Sequence, residues 1–207
     1  MIILIGSEKG GVGKSTLATN LSVFLTLQSK DVILVDADRQ GTSSNWSQDR
    51  RETNLPKIES VSKFDNIRHT LMDLQQRYEY VIVDSQGRDS VELRTGLLAS
   101  DYCLTPIRPS QADLDTIYKM VYLTDTAKET NEKLKTFCVI TQAPNTSTEI
   151  RDAQECLKSL KGIQLLDTVI YDRRAYRDAL GSGKGVLEMA NDKAIFEFTK
   201  LCEEFFK

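Results

Sequence analysis

Short apolar runs alternate along the chain with segments in which apolar residues recur every three or four positions. The runs are continuous, which predicts strands that are buried on both faces of a sheet. The segments between them have the period of amphipathic helices. The predicted strands cover residues 2–5, 31–36, 80–83, 103–107, 134–141 and 165–170. One predicted helix begins at residue 14, and another lies at the end of the chain. Further helices are predicted over residues 42–50, 64–77, 113–129 and 149–160, while residues 55–62 are ambiguous.

This order of elements predicts an α/β fold with a mostly parallel, twisted sheet and helices on both faces. Parallel strands need long crossover connections, and a helix after each strand packs back onto the sheet with a right-handed turn. The length of 207 residues and the hydrophobic content of 40% suit one buried core, so we expect a single domain over residues 1–207. In such sheets, ligands bind at the carboxyl ends of the strands.

Residues 9–16 read Lys-Gly-Gly-Val-Gly-Lys-Ser-Thr and join the first predicted strand to the first helix. Glycines permit backbone conformations in which successive N–H groups converge on phosphate oxygens. Lys14 adds positive charge at the β- and γ-phosphates, and the Ser15 hydroxyl is a ligand for Mg²⁺. A glycine turn without a ligand is the alternative, and the strand–turn–helix context argues against it. The predicted nucleotide contacts here are Gly10, Gly11, Val12, Gly13, Lys14, Ser15 and Thr16.

Three aspartates lie at or just after the ends of predicted strands and should meet at one edge of the sheet. Asp36 and Asp38 lie where the second strand gives way to a loop, and Asp84 follows the run Tyr-Val-Ile-Val. An aspartate after such a strand holds Mg²⁺ through water in P-loop enzymes, which predicts this role for Asp84. Helix capping and turn formation are the alternative for Asp36 and Asp38.

The phosphate-binding segment departs from the ordinary P-loop pattern, because Glu8 stands where that pattern has glycine and Lys9 adds a second lysine. With the signature K-G-G-x-G-K-[ST], it resembles the deviant Walker A ATPases of the ParA/MinD group. In that family the first lysine reaches across a nucleotide-sandwich dimer to the partner's phosphates. The resemblance therefore implies an ATP-dependent homodimer in which Lys9 is a catalytic residue supplied in trans. A solvated surface lysine is the alternative.

The same resemblance assigns roles to the aspartates. The segment Asp-Ala-Asp-Arg-Gln is similar to the family's D-x-D-x-Q element, whose second aspartate positions the attacking water. This implies a catalytic role for Asp38, together with Lys9 and Lys14, and a supporting place near Mg²⁺ for Asp36. The implied metal-binding set is Ser15, Asp36 and Asp84. Relatives commonly carry a proline-containing segment after the last of these, whereas this chain has Ser-Gln-Gly-Arg, so the shape of the following loop is an open question.

The sequence favours ATP over GTP. The N-K-x-D signature that recognises guanine does not occur in it, and the resemblance to an ATPase family implies ATP with Mg²⁺. The segment 105–110 is similar to the family's loop beside the nucleotide and the dimer interface, and Gln142 ends the strand nearest the base. We therefore expect Pro106 and Gln142 to contact the nucleotide. A proline that only stiffens a turn would give the same pattern.

A basic cluster lies near the end of the chain, although the formal net charge of −3 does not itself indicate nucleic acid. Its position is similar to the region that partition ATPases use beside a non-specific DNA surface. The predicted DNA contacts are Arg173, Arg174, Arg177 and Lys184. Dimerisation would double this cluster and strengthen a weak contact with phosphates. The alternative is that the arginines pair with acidic neighbours such as Asp178.

Other classes of function find less support in the sequence. The four cysteines are far apart and His69 is the only histidine, so no structural zinc spacing can be assembled. The last predicted helix carries an apolar stripe opposite a face rich in glutamate, whereas a membrane-anchoring helix has a basic polar face. The residues of this stripe are Ala194, Phe198, Leu201 and Phe205. We expect no membrane partner and a cytoplasmic, nucleoid-associated location.

These observations predict an ATP-dependent dimerising switch that partitions plasmid or chromosomal DNA. By resemblance, its ATP-bound dimer binds DNA without sequence preference, and a centromere-binding adaptor protein stimulates hydrolysis. The early position of the P-loop implies the small type of partition ATPase, without a preceding helix-turn-helix domain. Three alternatives remain: an ATPase that positions another cargo, such as a protein cluster or microcompartment; a non-catalytic scaffold that binds nucleotide only to dimerise; and a small-molecule ligase or kinase on the same fold.

Overall fold

The apolar runs form the strands of a parallel sheet in the computed structural model, which describes residues 1–145 and 147–207. Seven strands pair in the order β3-β2-β4-β1-β5-β6-β7, and every pair is parallel. This confirms the predicted α/β fold and extends it, since the prediction was of a mostly parallel sheet. The strands are β1 (Ile2–Ile5), β2 (Val32–Ala37), β3 (Glu59–Ser62), β4 (Tyr80–Ser85), β5 (Tyr102–Ile107), β6 (Lys135–Ala143) and β7 (Gln164–Tyr171).

Helices cover both faces of the sheet, as expected. Alternate residues of β1 point to opposite faces, so Ile2 and Leu4 join one hydrophobic core while Ile3 and Ile5 join the other. The first core also takes residues from α3, α4, α5 and α6, and the second from α1, α2, α7 and α8. The helices are α1 (Lys14–Leu27), α2 (Thr42–Arg51), α3 (Arg68–Gln75), α4 (Val91–Leu97), α5 (Gln111–Lys128), α6 (Ser147–Lys158), α7 (Arg174–Leu180) and α8 (Asp192–Phe205), with a 3-10 helix at Val186–Glu188.

The structure corrects the sequence prediction in three places. The ambiguous segment 55–62 contains the edge strand β3, whose side chains are largely exposed and therefore lack an apolar pattern. The helix predicted over 64–77 begins only at Arg68, because Asp65 has a positive φ of 65°, which a helix cannot contain. Helix α4 was not assigned from the sequence, and it has only seven residues.

The arrangement of the strands brings the sites of interest together. The central strand β1 lies between β4 and β5, and β4 lies between β1 and β2. The register pairs Ile5 with Asp84, and Asp36 with Asp84, at the carboxyl ends of these strands. The P-loop, the loop after β2 and the loop after β4 therefore meet at one edge of the sheet.

Candidate active site

The P-loop turns from β1 into α1 through glycines that have left-handed backbone conformations. Gly11 has a φ of 74° and Gly13, which immediately precedes α1, has a φ of 94°. A side chain at either position would be strained. The first turn of α1 contains no acidic residue, so no carboxylate of the helix itself opposes the positive end of its dipole. This geometry suits an anion at the helix N-terminus.

Lys14 lies inside this turn and is largely buried. Its Nζ donates to the Lys9 carbonyl oxygen at 3.0 Å and to the Ser7 Oγ at 3.3 Å. Burial lowers the pKa of Lys14, and the nearby carboxylates of Asp84 and Asp38 oppose that shift. The ammonium group is thus held by two neutral acceptors, which are weaker partners for it than the oxygens of a polyphosphate.

The side chain of Lys9 leaves the loop in another direction. It forms an ion pair with Asp113 at the start of α5 and donates to the Ala112 carbonyl oxygen at 3.2 Å. The buried Asp113 also accepts from Arg108, with 2.5 Å between Nε and Oδ2. Burial by itself would raise the pKa of Asp113, but the two cations outweigh it and lower that pKa. The two lysines of the motif therefore occupy different environments.

Asp84 is fully buried at the end of β4 and has spare capacity for a cation. Its Oδ2 accepts from the Ser43 hydroxyl at 2.5 Å, while Oδ1 has no hydrogen-bond partner within the described ranges 1–145 and 147–207. Burial raises the pKa of Asp84 to about 6, against the opposing effect of the Ser15 and Ser43 hydroxyls. An unpartnered buried carboxylate oxygen beside the P-loop serine fits a divalent cation, since Mg²⁺ prefers carboxylate and hydroxyl oxygens.

Asp36 and Asp38 differ in what their carboxylates do. Both oxygens of the buried Asp36 accept backbone N–H groups, from Asp38 at 3.1 Å and from Ser44 at 2.8 Å. These bonds are those of a turn and of a helix start, the alternative that the sequence left open. Burial raises the pKa of Asp36, and the bonds from Ser44 oppose it. Asp38 uses Oδ1 to accept the Gln40 N–H at 3.0 Å and lines the cavity described below.

Helix α2 holds Ser43 against Asp84, and a buried arginine fixes this helix. The Arg50 guanidinium forms an ion pair with Glu188 at 2.8 Å and donates to the carbonyl oxygens of Pro56 and Gly183. Both charged groups are buried and hydrogen-bonded, which is the condition under which a buried ion pair is tolerated. The segment before the 3-10 helix is thereby joined to the helix that carries Ser43.

The loop after β4 lies directly against the P-loop. A Cβ atom at position 87 would be 2.6 Å from the Gly10 Cα and 2.7 Å from the Lys14 Nζ, so Gly87 is required for this approach. The adjacent Gln86 is buried, and its Oε1 accepts from the Arg88 Nε at 3.0 Å. The Ser-Gln-Gly-Arg segment, whose shape was an open question, therefore closes one side of the phosphate-binding turn.

These loops enclose a cavity of about 610 Å³. It is open to solvent and combines backbone N–H groups, the Lys14 ammonium and the Asp38 carboxylate. Most of the residues predicted to bind the nucleotide line it, whereas Val12 is buried and does not line it. The lining residues are Gly10, Gly11, Gly13, Lys14, Ser15, Thr16, Asp38, Arg39, Gln40, Thr42, Gln86, Gly87, Arg88, Gln142 and Leu180.

A second cavity, of about 290 Å³, continues the first toward β6, β7 and α7, and the two share Gly13, Thr16 and Gln142. Gln142 has a positive φ of 49°, an uncommon conformation for a residue other than glycine. Pro106 lies buried within β5 and lines neither cavity, so the structure does not bring it to this site. The remaining lining residues are Leu17, Thr141, Ile170, Tyr171, Asp172, Arg173, Tyr176 and Arg177.

Three of the four predicted DNA contacts are paired with carboxylates within the chain. Arg173 is bonded to Glu197 of α8, Arg174 to Asp178 at 3.2 Å, and Arg177 to Asp172. The first of these pairs is partly buried and the other two are exposed. This is the pairing that the sequence left open as the alternative. Lys184, the fourth predicted contact, accepts from the Trp46 Nε1 through its carbonyl oxygen, at 3.0 Å.

Several site residues were not predicted from the sequence, and three of them make specific contacts in the site. Gly87 follows Asp84 at the spacing D-x-x-G, which could have been noticed as a second glycine close to the phosphates. Ser43 follows the D-x-D-x-Q segment and the glycine that precedes α2, but nothing in the sequence indicates its partner Asp84. Asp113 lies far from Lys9 in the sequence, so only the fold reveals their ion pair.

Comparison with known proteins agrees with this site. A family model described as the CobQ/CobB/MinD/ParA nucleotide binding domain matches residues 3–186. The maintenance of carboxysome distribution protein A of Halothiobacillus neapolitanus is 29% identical over 191 residues, which are 90% of this chain and 87% of that protein. In addition, none of the helices in the described part of the chain combines the length and apolar composition needed to cross a membrane.

Two solved structures show the same fold at lower sequence identity. A plasmid partition protein of Borrelia burgdorferi bound to AMPPNP superposes with a TM-score of 0.76 and 21% identity, over 99% of this chain and 98% of that one. The septum site-determining protein MinD of Pyrococcus horikoshii, complexed with Mg-ADP, gives a TM-score of 0.76 and 18% identity, over 100% and 96%. The nucleotides in these structures agree with the predicted cofactors, ATP and Mg²⁺.

Proposed function

This chain belongs to the CobQ/CobB/MinD/ParA family of nucleotide-binding domains, and from that premise we propose that it is an ATP-hydrolysing switch that dimerises to position a cargo. The observation that carries the proposal is the separation of the two P-loop lysines. Lys14 lies in the phosphate cavity, whereas the Lys9 side chain is held at Asp113 and does not line that cavity. This placement suits a lysine that acts on the nucleotide of a second copy and not on its own.

The chemistry divides among residues with distinct environments. Lys14 and the N–H groups of the loop would hold the β- and γ-phosphates. Ser15 and Asp84 would hold Mg²⁺, which neutralises charge on the phosphate oxygens when bound. Asp38 lines the cavity, and its Oδ2 is not used by the Gln40 N–H, so this carboxylate would orient a water molecule toward the terminal phosphate. Lys9 from a partner would then stabilise the charge that develops during transfer.

The second cavity is the proposed site of the base. It adjoins the phosphate cavity at Gly13 and Gln142 and is lined by the aromatic ring of Tyr176 and the apolar Ile170. A planar base binds well against apolar and aromatic groups, with polar edges left for a few hydrogen bonds. Arg173 and Arg177 line this cavity too, so their place is beside the proposed base.

The cargo is proposed to be plasmid or chromosomal DNA, through non-specific DNA binding by the ATP dimer and a centromere-binding adaptor. The similarity to a plasmid partition protein supports this assignment. A second candidate is a protein cluster or microcompartment, which the similarity to a carboxysome distribution protein favours. Both candidates use one nucleotide cycle and differ in the adaptor and cargo.

Steady-state ATP hydrolysis with Mg²⁺ tests the catalytic part of the proposal. We expect slow turnover by the purified protein, loss of turnover in Asp38→Ala with ATP binding retained, and ATP-dependent dimers in that variant. Lys9→Ala should bind ATP as a monomer but lose hydrolysis and dimer closure. The matched control is Lys30→Ala, since Lys30 is also partly exposed and paired, with Glu79, but lies away from the site.

Binding to random-sequence duplex DNA separates the cargo candidates. Binding only with ATP would support DNA partition, whereas hydrolysis without DNA binding in any nucleotide state would favour another cargo. Dimers that never hydrolyse ATP would identify a scaffold instead. Phosphate transfer to a metabolite rather than to water would identify a ligase or kinase.

A further inference from the structure

Two arginines line the phosphate cavity, and only Arg39 is paired with a carboxylate in the part of the chain that the structure describes. Arg39 forms an ion pair with Asp65 at 3.1 Å, and its guanidinium lies 4.8 Å from the centre of the Phe64 ring. Arg88 donates from Nε to the neutral Gln86 Oε1 at 3.0 Å and forms no ion pair with any residue in the ranges 1–145 and 147–207. Its two terminal nitrogens are therefore available to a ligand.

The position of Arg88 is fixed by the residues before it. Gly87 lies against Gly10 and the Lys14 Nζ, which places the backbone of residue 88 next to the phosphate-binding turn. The buried Gln86 holds the Nε edge of the guanidinium. A guanidinium held by one edge offers its other donors in a planar fork, the geometry that matches phosphate oxygens.

The cationic side chains near Arg88, by contrast, are paired with carboxylates. Arg94 of α4 is paired with Asp89 through both Nε and Nη2, each at 2.6 Å from a carboxylate oxygen. Lys119 of α5 is paired with Glu8 at 2.8 Å. Arg88 is exposed and lines the cavity, so a polyanion in the cavity would meet its charge without displacing a carboxylate.

We propose that Arg88 binds the terminal phosphate of the nucleotide from within the same chain, so that it distinguishes a triphosphate from a diphosphate before any dimer forms. This inference rests on the proposed function, since it requires a nucleotide in the 610 Å³ cavity. It adds a cation to the site that is supplied in cis, whereas Lys9 is proposed to act in trans. Its recognition of the terminal phosphate would also link the loop after β4 to the state of the nucleotide.

The test is equilibrium binding of a fluorescent non-hydrolysable ATP analogue and of the corresponding ADP, with Mg²⁺, at protein concentrations at which the wild type remains monomeric. Arg88→Ala should raise the Kd for the triphosphate about tenfold and leave that for the diphosphate within about twofold, since one charge-assisted contact is lost. Arg88→Lys should recover part of the affinity. The matched control is Arg94→Ala, which should leave both constants unchanged.

Three results would overturn the inference. Equal losses for triphosphate and diphosphate would place the contact at the inner phosphates, and no change would remove Arg88 from the site. A loss seen only at concentrations that give dimers would assign Arg88 to the partner's nucleotide. Failure of the wild type to bind either nucleotide would refute the proposed function itself, and is distinguishable from all three because it does not involve the variant.

Discussion

The phosphate-binding edge and the arginine-rich start of α7 both looked chemically active in the sequence, but folding leaves their polar groups in opposite states. At the phosphate edge, Asp84 keeps a buried oxygen without a partner in the described chain, and Lys14 is held only by neutral oxygens. At the start of α7, by contrast, Arg173, Arg174 and Arg177 each have a carboxylate partner. The difference lies in what remains available after the chain has folded.

This contrast shows why a cluster of like charges is weaker evidence than a set of unsatisfied groups. A cation already paired with a carboxylate must give up part of that interaction to bind a phosphate, whereas an unpartnered group gives up little. The phosphate-binding edge therefore keeps groups that can bind a polyanion and a cation. The arginines at the start of α7 are already paired, so a DNA phosphate that binds them must compete with the carboxylates of Glu197, Asp178 and Asp172.

The largest effect is expected when one methyl group is added to the loop after β4, at the phosphate-binding edge. In Gly87→Ala, the new Cβ would meet Gly10 and the Lys14 Nζ at distances that real contacts do not reach, so the loop must move away from the P-loop. We expect ATP hydrolysis to fall at least about a hundredfold, because small displacements of reacting groups have effects of this size. Steady-state turnover, with folding checked by circular dichroism, measures this.

The matched control is Gly181→Ala. Gly181 ends α7 with an ordinary φ of −77°, and an added Cβ would lie 3.5 Å from the Arg177 carbonyl oxygen, which is a normal contact. This variant should fold and turn over as the wild type does. Wild-type turnover by Gly87→Ala would mean that the close approach of the two loops is not needed for catalysis.

A smaller effect is expected from removing the charge of Asp84. Burial raises the pKa of Asp84 to about 6, above its value in the unfolded chain, so the stability it contributes is present at low pH and is lost as the pH rises through about 6. Without nucleotide, Asp84→Asn should therefore be more stable than the wild type at pH 8, by about 2 kcal/mol, and the difference should shrink toward pH 4.

Thermal unfolding of both proteins across this pH range measures the difference. With Mg²⁺ and ATP the order should reverse at pH 8, because only the wild type keeps the proposed metal ligand and gains stability from the bound nucleotide. A pH-independent difference would mean that the carboxylate is not the cause. Equal stabilisation of both proteins by Mg-ATP would remove Asp84 from the metal site.

The sequence was sufficient for the features that depend on short segments. Continuous apolar runs such as Ile2–Ile5 predicted strands buried on both faces, and the glycine-rich segment predicted the anion-binding turn, because both depend on local physics. The edge strand β3 had no such pattern, since strands at the edge of a sheet do not need two apolar faces.

The sequence was not sufficient wherever a side chain finds its partner through the fold. Lys9 and Asp113, or Ser43 and Asp84, are distant in the chain and meet only because their strands and helices converge at one edge. The same limit affected the basic cluster, since Glu197 lies on another helix and could not be matched to Arg173 beforehand. Residue types identified candidate chemistry, while the fold decided which groups stayed available for it.

The smallest predicted effects separate the arginines of α7 from one another. Arg173 and Glu197 are 21% and 11% exposed, so Arg173→Ala leaves a largely buried carboxylate without its partner, and we expect a loss of about 1–2 kcal/mol in the free energy of unfolding. Arg174 is 85% exposed and pairs with Asp178 one helical turn away, so Arg174→Ala should change stability by less than about 0.5 kcal/mol. Urea unfolding of the two variants gives both values.

Because Arg174→Ala should leave the fold intact, it is also the better variant for a test of DNA binding. Reduced affinity for DNA with a flatter salt dependence would show that an already paired arginine still binds phosphate. That result would contradict the contrast between the two regions.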